Sequence, residues 1–135
     1  MTTTSTSELV DAFHNRVLPK PQWTHEAHLI VCWSALKTRT VNEATAYLRQ
    51  AIRAYNDSVG TPNTDTSGYH ETLTRYYVEA IAQLTGESVE QVQSSAHCQR
   101  QSPFTYWSRD LLFGTEARRD WVDPDLQQLP WREGD

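Results

Sequence analysis

Three histidines stand in two short segments of this chain, Trp23-Thr24-His25-Glu26-Ala27-His28-Leu29 and Gly68-Tyr69-His70-Glu71-Thr72. His25 and His28 are three residues apart, which on a helix places both side chains on one face. His70 stands where a second helix begins. If the two helix starts meet, three imidazoles converge. Three nitrogen ligands and an open position form the pattern of a catalytic zinc or iron site. The same residues without metal are acid–base groups.

The residues around them suggest roles. His25 and His28 lie at the positive end of a helix macrodipole, which favours neutral imidazole, the form that binds metal and accepts protons. Glu71 or Glu26 would serve as fourth ligand, as the partner that orients a ligating histidine, or as general base. Tyr69, Asn63 and Tyr106 would orient a small polar substrate. Cys32, one turn beyond His28, is a soft ligand or simple lining. His14 and His97 are read as ordinary residues. The reading that weighs against this one is a non-catalytic helical module, in which the histidines cap helices, pack, or bind a small ligand. A His-x-x-His spacing is compatible with both.

The elements that must position these groups are helical throughout. Leu9, Val10, Phe13 and Val17 recur at helical spacing after Ser7, a fair N-cap. Pro19 and Pro21 end that helix. Thr24 caps a second, running to about Leu36, whose apolar residues cover so much of its surface that it must be central. Thr40-Val41-Asn42-Glu43 is a capping box opening a third helix that ends near Gly60. The polar segment Gly60 to Gly68 is long for a connector, and it should be ordered and cover the site. Leu73, Tyr76, Tyr77, Ala80, Ile81 and Leu84 mark a fourth helix. Ser88-Val89-Glu90-Gln91 is a second capping box, starting a short fifth helix toward Gln99. An aromatic-rich stretch from Phe104 to Phe113 follows, then one or two helical turns from Thr115 to Trp121. The residues from Asp123 to Trp131 read as an extended tail over the bundle. The expectation is all-α: a single domain over residues 1–135, an irregular bundle of about five helices, with residues 1–6 as a disordered tail.

A chain of 135 residues with net charge −5 suits one domain with a real core. It has no long Lys/Arg run, so neither nucleic acid nor an anionic membrane surface is expected as a partner. No segment reads as a membrane span or a signal peptide. Cys32 and Cys98 are therefore expected to be reduced, in a cytoplasmic protein. There is no nucleophile-elbow motif, phosphate loop or dinucleotide fingerprint.

Trp23-Thr24-His25 with His28-Leu29, then Tyr55-Asn56, Gly60-Thr61-Pro62-Asn63-Thr64 and Gly68-Tyr69-His70-Glu71-Thr72-Leu73-Thr74-Arg75 form a joint pattern. It resembles a group of small bacterial proteins of unassigned function. Tyr106 to Ser108, Glu116 to Arg118 and Trp121 to Pro130 are similar to the C-terminal part of that group. The resemblance implies a shared scaffold and a shared pocket, and names no reaction. His14, Cys32 and His97 are not part of the pattern.

Overall fold

The computed structural model describes residues 5–84 and 86–132. Seven α-helices and four 3-10 turns follow one another, with no strand among the described residues. The helices are α1 (Thr6–His14), α2 (His25–Leu36), α3 (Val41–Ser58), α4 (Glu71–Ala82), α5 (Val89–Ser94), α6 (Arg109–Leu112) and α7 (Thr115–Arg119). The all-α class is as expected; the helices outnumber the expected five or so, with α7 on the Thr115 to Trp121 stretch read as helical turns and α6 within the aromatic-rich stretch before it. None is long and apolar enough to cross a membrane.

Local signals set most boundaries. Thr24 accepts a hydrogen bond from the Ala27 amide and starts α2. Both capping boxes form, Thr40 with Glu43 and Ser88 with Gln91. Two starts differ from the expectation. Ser5, not Ser7, caps α1, through the Glu8 amide, so the expected tail gives way to helix by Thr6. Residues 1–4 of that tail lie outside the described residues. The cap of α4 is His70 itself, whose ring accepts from the Leu73 amide. α5 ends at Ser94, and a 3-10 turn, Ala96–Cys98, covers the stretch expected to continue it.

α2 is apolar around most of its circumference and packs against α1, α3, α4 and α5. Its Leu29, Val31, Cys32 and Ala35 join Phe13, Leu48, Tyr55, Val78 and Ile81 in the main core. A second core gathers Tyr76, Tyr106, Trp107, Leu112 and Leu129. Tyr77 and Trp131 pack against both. The C-terminal segment is fastened by Glu79, which accepts from Trp131 Nε1 at 2.8 Å and pairs with Arg132 and Arg75.

Candidate functional site

The starts of α2 and α4 face one cavity of about 700 Å³. His25, His28 and His70 all line it. Its apolar walls include Trp23, Leu29, Ile52, Leu73, Tyr77, Phe104 and Phe113. Such a concave, mostly apolar space with a few polar groups is the usual form of a small-molecule site.

The three histidines differ in what they can do there. His28 donates from Nδ1 to the Thr24 carbonyl at 2.7 Å. That carbonyl also accepts the His28 amide, at 3.0 Å. A carbonyl only accepts, so the proton resides on Nδ1 and Nε2 carries a lone pair. Nε2 has no partner among the described residues. The Trp23 ring lies against the imidazole with centroids 3.7 Å apart and planes tilted by 30°, and Phe13 stacks on Trp23 at 4.5 Å. The ring is thus clamped. Burial, with the nearby His25 and Arg100, lowers the His28 pKa to about 4, so it is neutral at pH 7.

His25 donates from Nε2 to the Cys98 carbonyl at 2.7 Å and meets the edge of Tyr77. Its Nδ1 is without a partner among the described residues. His70 is committed on both sides. Nε2 donates to the Leu112 carbonyl at 2.7 Å, and Nδ1 accepts from the Leu73 amide at 3.2 Å. Burial keeps its pKa low, and protonation would place an N–H against the Leu73 N–H.

This arrangement does not fit the three-histidine metal centre suggested by spacing. A metal at His70 would have to displace a backbone partner from one of its nitrogens. Among the described residues no group of three or more His, Cys, Asp or Glu is disposed to hold a metal ion. Two lone pairs, on His28 and His25, are all that the histidines present.

The other expected site residues are placed as follows. Glu71 turns to α3, where Arg49 grips it at 2.6 and 2.9 Å. Tyr69 lines the cavity with its ring but donates its hydroxyl to Glu71 at 2.6 Å. Burial alone would raise the Glu71 pKa, but the hydrogen bonds from Arg49 and Tyr69 outweigh it and hold the carboxyl below its ordinary value. Glu71 and the exposed Glu26 do not line the cavity.

Asn63 also lies outside the lining and holds the loop together. Its Oδ1 accepts from Asn56 Nδ2 and the Tyr69 amide, and its Nδ2 donates to the Arg53 carbonyl and Asp57. Tyr106 belongs to the second core, against Tyr76 and Trp107. Of the segment Gly60 to Gly68, only Thr61 and Gly68 line the cavity wall. In its middle, Asp65 pairs with Arg119 of α7.

The thiols are quiet. Cys32 touches the cavity, and burial followed by the neighbouring Cys98 pushes its pKa up to about 12. It is a protonated wall group and a poor nucleophile.

Lys20, Arg100, Phe104 and Phe113 also line the cavity, and spacing did not single them out for the site. Lys20 sits on a 3-10 turn and Arg100 on an irregular segment. No periodicity points from either position to α2. Compared with protein-family models, with curated proteins and with solved structures, the chain matches none.

Proposed function

We propose that the protein is a small enzyme that binds a small molecule between the starts of α2 and α4 and moves a proton with His28. The observation that carries this reading is the Nε2 lone pair of a clamped, neutral imidazole beside an apolar cavity. Nε2 takes a proton from an O–H, N–H or activated C–H of the bound molecule. Nδ1–H stays on the Thr24 carbonyl and fixes the ring's direction. The Nδ1 of His25 is the second lone pair there. The apolar walls favour a molecule with a hydrophobic body and few polar groups. The resemblance to small bacterial proteins implies that they share this pocket.

One observation favours a second reading, non-catalytic binding of such a molecule. Among the described residues no carboxylate backs His28, and its low pKa makes it a weak base. In that case Nε2 only accepts a hydrogen bond from the ligand.

A panel of hydrolysis, elimination and isomerisation assays on small molecules, run on wild type and His28→Gln, tests the catalytic reading. The expected result is an activity that falls ~10²–10⁴-fold in the variant, the usual contribution of a positioned proton-transfer group. An activity that survives His28→Gln at full rate would remove His28 from the chemistry. Binding without turnover in wild type would leave the second reading.

A further inference from the structure

The geometry points to an oxyanion as the ligand's polar end: the cavity takes a carboxylate or phosphate ester with an apolar or aromatic body, its anionic group held by Arg100 and Lys20. The inference rests on the reading of this cavity as a small-molecule site and names the class of molecule.

The first support is a charge imbalance. The chain carries 17 Asp and Glu against 12 Lys and Arg. Among the described residues, none of the acids lines the cavity, whereas Lys20 and Arg100 do. The wall therefore has the sign opposite to the chain as a whole.

The second support is what those two cations lack. Apart from Arg16, every other Lys or Arg meets a carboxylate, a backbone carbonyl or an aromatic face. Arg49, Arg75, Arg119 and Arg132 pair with acids. Arg118 donates to the Gly68 and Tyr69 carbonyls. Lys37, Arg39, Arg53 and Arg109 lie over rings. Lys20 and Arg100 are exposed and have no such partner among the described residues. Two of the three cations without such a partner among the described residues thus stand at one cavity.

The third support is backbone polarity. Residues at the N-terminal, positive ends of both α2 and α4 line the cavity. Arg100 and His28 line the same cavity, so an anion held at Arg100 would favour a proton gained by that ring. The aromatic pair Phe104 and Phe113, 5.7 Å apart, belongs to the same wall. Phe113 is 55% exposed, an apolar surface that a ligand's body would cover.

The experiment is calorimetric titration with 2-naphthoate, 2-naphthyl phosphate and the neutral 2-naphthamide. At low salt at least one of the two anions should bind roughly tenfold or more tightly than the amide. The ranking of the two anions identifies carboxylate or phosphate as the preferred head. The advantage should shrink as salt is raised, because the two cations are exposed. In the double variant Lys20→Gln, Arg100→Gln the anions should fall to the affinity of the amide. The amide itself should be unaffected, which also shows that the variant is folded. An amide that binds wild type as well as the anions do would overturn the inference and leave the cavity reading standing. Anion affinity unchanged in the double variant would overturn it too. If none of the three probes binds, the small-molecule reading of the cavity fails, and this inference with it.

Discussion

The imidazole of His28 donates Nδ1–H to the Thr24 carbonyl 2.7 Å away, and that bond leaves Nε2 as a lone pair beside the cavity. Thr24 therefore does two jobs. Its hydroxyl accepts the Ala27 amide and starts α2, while its carbonyl sets the tautomer of the histidine one turn on.

The first prediction concerns that proton. The folded pKa of His28, about 4, lies below the ordinary value of 6.5. Between those values the unfolded chain holds a proton that the folded chain does not. The contribution to stability is complete above pH 6.5 and declines as pH falls toward 4. Over that window it amounts to up to about 3 kcal/mol. Urea titrations at pH 7 and pH 4.5 should show this loss, and His28→Gln should reduce it. Ring-nitrogen NMR should find His28 as the Nδ1–H form at neutral pH and His70 as the Nε2–H form. A His28 that titrates near 6.5 would contradict the clamped geometry.

Much of the scaffold can be read from the sequence because its causes are local. Thr40 with Glu43, and Ser88 with Gln91, announce two helices within four residues each. The apolar circumference of α2 announces its central position. The site is harder, because its decisive partners are far apart in sequence. Nothing near His70 shows that Leu112 will take its Nε2–H. Nothing near Glu71 shows that Arg49, one helix earlier, will hold it. His70 does stand where the helix begins, but as its cap and not within its first turn. It lies in phase with Leu73, Tyr77 and Ile81, yet it stops one residue short of α4 with φ −134° and ψ 110°. Histidine is not among the favoured caps, so its residue type does not announce that role.

The loop after α3 depends on Gly68. Its φ of +81° is one that only glycine adopts cheaply, and a Cβ there would meet the Pro62 carbonyl and, at 2.7 Å, Asn63 Oδ1. Asn63 Oδ1 is the atom that receives the Asn56 side chain and the Tyr69 amide. Gly68→Ala should therefore cost about 1–3 kcal/mol in chemical denaturation, from backbone strain together with the loss of these bonds. Gly86→Ala, at φ +87° but in open space, should cost less. Equal losses at the two positions would mean that the contact with Asn63 contributes nothing.

Glu79 ties the C-terminal segment to α4. Burial alone would raise its pKa, but hydrogen bonds from Arg132, Arg75 and Trp131 outweigh this and hold it below the ordinary carboxylate value. Its contribution is present above the unfolded-state pKa and is lost as pH falls through the folded one. Glu79→Gln should cost about 2 kcal/mol, less than a fully buried ion pair because both guanidinium groups reach solvent. Limited proteolysis should then cut after Trp121 sooner than in wild type. An unchanged cleavage pattern would show that the apolar contacts of Leu129 and Trp131 suffice to hold the segment.

The last prediction separates a metal centre from the arrangement of hydrogen bonds described above. His70 has no lone pair to offer while Nε2–H is on Leu112 and Nδ1 receives Leu73 N–H. His70→Ala leaves both of those backbone groups without the ring. It should lower stability by about 1–3 kcal/mol, the cost of buried polar groups left unpaired. Zinc or iron content, measured on protein purified without a His tag, should be substoichiometric in wild type and no lower in the variant. Glu71→Gln should behave in parallel. It weakens the grip of Arg49 and Tyr69 and should cost about 1–2 kcal/mol, since the Arg49 side chain is 44% exposed. Any activity found should persist in Glu71→Gln, because that carboxylate faces α3 and not the cavity. A full equivalent of metal in wild type, lost in His70→Ala at unchanged melting temperature, would show that the ring turns from Leu112 to a metal ion. A loss of activity in Glu71→Gln at unchanged stability would return that residue to the chemistry.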